Sequence, residues 1–93
     1  MDAFLSALKA IPEGYSTGLY RGYSYGTTLL VSADGKRVKL YAEELGGNDH
    51  ISFNLYHTAG KGPLLKPCEM PAEKVMAFVL GYELSATATH SAD

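Results

Sequence analysis

The chain has 93 residues, 46% of them apolar and 19% charged, which excludes a disordered chain or a coiled coil and leaves too little material for two cores. Eight basic residues against ten acidic ones give a net charge of −2, which argues against general attraction to nucleic-acid phosphates or anionic lipid. A single cysteine forbids an intrachain disulfide and, with no Cys-x-x-Cys pair, offers no zinc site.

The first element reads as a helix over Met1–Ile11. Phe4, Leu5, Leu8 and Ile11 recur at the spacing of one apolar helical face. Asp2 complements the helix N-terminus, and Pro12 pushes Ile11 toward extended geometry and ends the element. No positive charge precedes the apolar residues, as a secretory leader requires. Nor does any apolar run approach the ~20 residues of a membrane helix. A lone thiol is ordinary in the reduced cytoplasm, so the expected location is cytoplasmic.

From Tyr15 to Cys68 the pattern becomes period two, with strands expected at Ser16–Tyr20, Tyr25–Ser32, Arg37–Glu44, His50–Thr58 and Pro63–Cys68. Turn signals divide them at Arg21–Ser24, Ala33–Lys36, Gly46–Asp49 and Ala59–Gly62. Asp34-Gly35 carries the strongest of these, because an Asp-Gly pair accepts the positive φ angles of a tight hairpin. Connections this short imply antiparallel neighbours. In the third strand Val38, Leu40 and Ala42 alternate with Arg37, Lys39, Tyr41 and Glu43. In the fourth, Ile51, Phe53 and Leu55 alternate with Ser52, Asn54, Tyr56 and Thr58. One face of the sheet is therefore apolar and the other polar, as in a sheet covered on one side.

A second helix is expected near Pro71, which suits a first helical position, with Val75, Phe78 and Val79 as its apolar stripe and Gly81 as its cap. Past it, apolar periodicity stops. The reading is an α+β fold: a five-stranded antiparallel β-meander with an N-terminal and a C-terminal helix packed on one face. Residues 1–84 form the domain, and 85–93 form a flexible tail.

Candidate chemistry is sparse. A reactive thiol needs a cation, a metal or a helix N-terminus. Cys68 has Lys66 two residues away but Glu69 adjacent. His50 and His57 are an odd number of residues apart on one strand and so face opposite ways, and His90 falls in the expected tail. Glu43 and Glu44 diverge likewise, so no metal site and no cofactor site is expected. Gly14, Gly18, Gly22 and Gly26 recur every four residues, but a phosphate loop needs a strand, a glycine turn and a helix start in succession. The tyrosines are more informative. There are seven, and Tyr41 and Tyr56 fall on the polar sheet face with Lys39 and Asn54. Tyrosine combines a large contact area with a polar tip, which suits an exposed interface.

Three segments carry a resemblance: Ile11–Ser16, Lys39–Gly47 and Leu64–Pro71. Through them the chain resembles, from about Ile11 to Gly81, a family of small bacterial proteins often labelled peptide methionine sulfoxide reductase. The label implies thiol chemistry, for which Cys68 is the candidate. The Gly-Cys-Phe-Trp motif of A-type sulfoxide reductases and the Arg-x-Cys-x-Asn motif of B-type ones are absent, so no catalytic residue is carried over. The expected function is a non-enzymatic protein-interaction module, regulator or inhibitor-like, that uses Lys39, Tyr41, Asn54 and Tyr56 on a protein partner or on its own copy. The alternatives are a thiol-dependent reductase using Cys68, and single-stranded nucleic-acid binding by base stacking on tyrosines.

Overall fold

The computed structural model describes residues 2–58, 60 and 62–85. The elements run α1 (Asp2–Lys9), β1 (Gly14–Tyr20), β2 (Tyr23–Val31), β3 (Arg37–Glu44), β4 (His50–Thr58), β5 (Gly62–Pro67), α2 (Ala72–Gly81) and β6 (Glu83–Leu84). The fold is α+β, with two helices and an antiparallel sheet in which β1 to β5 follow one another as a meander. Among the described residues, no helix is long and apolar enough to cross a membrane.

Among the described residues the sheet has six strands rather than the expected five, in the order β5-β4-β3-β2-β1-β6. Helix α2 ends at Gly81, and Tyr82 turns extended, which returns the chain to the free edge of β1. Leu84 then stands opposite Gly18 and Glu83 opposite Leu19. Ser85, placed by the sequence in the tail, donates its N–H to the Thr17 carbonyl at 2.9 Å. Residues 86–93, with His90, lie outside the described residues. A two-residue strand is too short to show a period, which is why β6 has no signature of its own.

The turns also depart from expectation. The tightest hairpin is at Arg21-Gly22, where φ is +55° and +84° and Tyr20 pairs directly with Tyr23. Two successive positive φ angles match the right-handed twist of the flanking strands. At Asp34-Gly35 only Gly35 has positive φ, and the loop is longer. The Asp34 carboxylate shapes it by accepting from the Ser32 hydroxyl at 2.6 Å and the Lys36 N–H at 3.0 Å. Pro71 is the N-cap of α2, one position ahead of the first helical residue, and Gly81 is its last helical residue, with Tyr82 as the C-cap.

Register explains the core. Leu40 stands between Leu29 and Phe53, Ala42 between Thr27 and Ile51, and Val38 opposite Leu55. Directly opposed residues share a face, so these side chains form one apolar layer. Phe4 of α1 packs its ring 5.9 Å from Phe53, and Phe78 of α2 lies 5.2 Å from Tyr25. Leu40, Phe53, Leu55, Phe78 and Val79 are all buried in this cluster. Burial stabilises the fold by about 1.5–3 kcal/mol for each such large side chain.

Thr27 is the discordant member. It is fully buried, and its Oγ1 has no hydrogen-bond partner among the described residues. An unmet buried hydroxyl carries its desolvation cost, so Thr27→Val is expected to stabilise the protein by about 1 kcal/mol. The urea midpoint should rise without a change in slope. A fall would mean that the hydroxyl is satisfied.

Candidate functional site

The face opposite the core layer is built by the alternate residues of the same strands. Read across the sheet, its rows are Leu64–Tyr56–Arg37, then Lys66–Asn54–Lys39–Leu30, then Ser52–Tyr41–Thr28–Tyr15, then His50–Glu43–Gly26–Thr17. The four residues singled out in the sequence therefore share one continuous patch. Lys39 and Asn54 stand directly opposite each other, Tyr41 follows Lys39 along β3, and Tyr56 follows Asn54 along β4. Tyr41 also stacks on His50, with ring centroids 6.3 Å apart and planes 28° apart.

Sequence reasoning missed three neighbours of this patch. Tyr15, Leu30 and Leu64 are 64%, 53% and 46% exposed. Leu64 was not legible, because Pro63-Leu64-Leu65 is apolar throughout and only the burial pattern of β5 separates the exposed Leu64 from its neighbours. Nor was Leu30, because Thr27–Val31 is β-branched or apolar throughout and shows no alternation. Tyr15 lies across Gly26, where an added Cβ would meet the tyrosine hydroxyl. Glycine at that position gives the ring a bed on the sheet.

Leu30, Val31, Ser32, Arg37, Lys39, Asn54 and Tyr56 line an open recess of about 350 Å³ on this face. The neighbouring edge is poorly suited to strand pairing. The Cys68 N–H donates to the Ser52 carbonyl at 3.0 Å, so alternation turns the amides of 62, 64 and 66 toward β4 and leaves 63, 65 and 67 at the outer edge. Two of those three are Pro63 and Pro67, which have no N–H to donate.

Cys68 is half-buried, and its Sγ accepts from the Asn54 amide at 3.9 Å. Among the described residues no cationic side chain hydrogen-bonds it. His50 lies on the open face, whereas His57 stands opposite Pro63 on the core side. Among the described residues, no group of three or more histidines, cysteines and carboxylates gathers at one point. A second concavity of about 380 Å³ lies between α1 and the sheet, lined by apolar residues including Leu5, Leu8, Val31 and Val38, together with Lys9, Glu13 and His57.

One polar cluster fastens α2 to the loop before β4. Asp49 accepts from Lys74 Nζ at 2.7 Å and from the Tyr25 hydroxyl at 2.9 Å. The Lys74 hydrogen bond, helped by Tyr25 against partial desolvation, holds the Asp49 carboxyl below the usual aspartate range. Burial first, and then Asp49, pushes the Tyr25 hydroxyl above its ordinary value, so it stays neutral and donating. A depressed carboxylate stabilises the fold fully above its unfolded pKa of about 3.9, and that contribution is lost as pH falls through the lower folded value. The ion pair is 41% and 35% exposed, which limits the effect to less than about 1 kcal/mol. Urea midpoints of the wild type should therefore fall more steeply than those of Asp49→Asn below about pH 4. Parallel curves would contradict the assignment.

No family model, curated protein or solved structure matches the chain.

Proposed function

We propose that this protein is a small non-enzymatic interaction module, regulator or inhibitor-like, which binds a protein partner in the cytoplasm through the sheet face that carries Lys39, Tyr41, Asn54 and Tyr56. In this reading both helices cover the opposite face and leave this one free. The observation that carries it is the register of β3 on β4, which joins two tyrosines, a lysine and an asparagine into one surface. Tyr15, Leu30 and Leu64 extend that surface with exposed apolar area. Such a mixture of aromatic anchors and polar groups is characteristic of binding patches. The two prolines at the outer positions of β5 favour recognition by the face over recognition by the edge.

The test is capture of a partner from a lysate of the source cell with wild type, Tyr41→Ala/Tyr56→Ala and Cys68→Ser. The double variant should lose at least about tenfold in affinity, since truncating a hot-spot tyrosine costs about 2 kcal/mol or more and about 1.4 kcal/mol is one decade. Circular dichroism should be unchanged, and Cys68→Ser should bind like wild type. Equal retention by wild type and the double variant would eliminate the face.

A second reading draws on the Asn54 amide beside the Cys68 thiol. It is a sulfoxide reductase, in which the thiolate attacks the substrate sulfur, methionine is released, and the resulting sulfenic acid is returned to thiol by an external dithiol. Turnover of either methionine sulfoxide epimer with dithiothreitol, absent in Cys68→Ser, would replace the binding reading with this one.

A further inference from the structure

We infer that the occupant of this face is an acidic segment of the protein partner, lying extended along β3 with alternate carboxylates against Arg37 and Lys39 and with Lys66 flanking it two strands away; the inference rests on the interaction reading above. Lys39 and Lys66 flank Asn54 in one row, and Arg37 lies two residues along β3 on the same face. Strand spacing puts the two lysines about 10 Å apart at Cα, and strand rise puts Arg37 about 7 Å from Lys39. All three are exposed.

Their charges are not answered within the sheet. Among the described residues the sole ion pair is Lys74–Asp49, on α2 and the loop before β4. Arg37 also acts electrostatically on Asp34 in the β2–β3 loop, and among the described residues neither lysine has a carboxylate partner. Among the described residues, none that lines the recess holding Arg37 and Lys39 is acidic. A chain of net charge −2 thus concentrates three cations around Asn54 and Tyr56, which add a hydrogen-bonding amide and a ring. Opposite charge at such a patch steers encounter and fixes register.

The extent of the patch favours a peptide over a nucleic-acid strand. Two rows beyond Lys39, Glu43 stands beside His50, so the positive strip ends within the sheet. A polynucleotide continuing along β3 would bring its phosphates onto a carboxylate. An extended peptide repeats side chains on one face every ~7 Å, which matches the Arg37–Lys39 separation for acidic residues at alternate positions.

The experiment is an amide-resolved NMR titration of the full chain with a capped oligoglutamate peptide, set beside a thymidine oligonucleotide of similar charge. The expected result is perturbation centred on Lys39, Asn54, Tyr56 and Lys66, weakening as salt rises. Affinity should fall by about tenfold in Lys39→Gln/Lys66→Gln and further in Lys39→Glu/Lys66→Glu, with the spectrum otherwise that of the folded protein. Binding unaffected by these substitutions, perturbation elsewhere, or tighter binding of the oligonucleotide would overturn the inference. So would sedimentation showing a dimer that Tyr41→Ala/Tyr56→Ala converts to monomer. Lysate capture separates the two levels. A partner kept by Lys39→Glu/Lys66→Glu but lost by Tyr41→Ala/Tyr56→Ala overturns the acidic segment and preserves the face, whereas a partner kept by both overturns the face itself.

Discussion

Phe78→Ala is expected to destabilise the protein by about 3–5 kcal/mol, the range for emptying a buried aromatic site. Phe78 is fully buried, and its ring meets Tyr20 at 5.1 Å, Tyr25 at 5.2 Å and Tyr82 at 5.1 Å. These partners come from β1, β2 and the segment after α2, so the ring joins the second helix to the edge of the sheet where β6 is added. Domains of this size have total stabilities of about 5–15 kcal/mol, so the loss takes a large share. Urea denaturation should show a much lower midpoint. Phe78→Leu, which keeps most of the volume, should lose far less. A cost below about 1 kcal/mol for the alanine variant would contradict the docking of α2 on this core.

Two glycines provide the second large contrast. An added Cβ at Gly18 would meet the Tyr82 ring, which stacks on Phe78, and the backbone carbonyl of Glu83, which does not move without displacing β6. Gly18→Ala should therefore cost about 1–3 kcal/mol, as overpacking does, with loss of amide protection at Ser85. At Gly26 the nearest obstacle is the Tyr15 hydroxyl, the far end of an exposed and flexible side chain. Gly26→Ala should stay within about 0.5 kcal/mol of wild type. Equal effects at the two positions would mean that β6 is not seated on Gly18.

The contrast also marks where the sequence is legible. Alternation in β3 and β4 points to the buried side chains Leu40, Ala42, Ile51, Phe53 and Leu55 without any knowledge of pairing. The same alternation puts Lys39, Tyr41, Asn54 and Tyr56 on the other face. Their adjacency needs register, which local sequence does not encode: Lys39 meets Asn54 only because the β3–β4 connection sets that offset. The glycine spacing is visible as a pattern, but its meaning depends on partners. For Gly18 the partner is Tyr82, which is 64 positions away, and for Gly26 it is Tyr15 on the neighbouring strand. Turn chemistry misled at Asp34-Gly35, where the carboxylate bonds Ser32 and Lys36 and organises a wider loop, while Arg21 takes a positive φ that its residue type does not advertise.

The proposed partner-binding surface is the sheet face carrying Lys39, Tyr41, Asn54 and Tyr56. Its most direct test is NMR mapping of the protein in complex with the partner it captures, read at backbone amides and at threonine and leucine methyls. Changes are expected at Thr28, Leu30, Lys39, Tyr41, Asn54, Tyr56 and Leu64, with Leu80 on α2 and Leu5 and Leu8 on α1 unmoved. Changes confined to Leu80, or to Leu5 and Leu8, with a silent sheet face would contradict it.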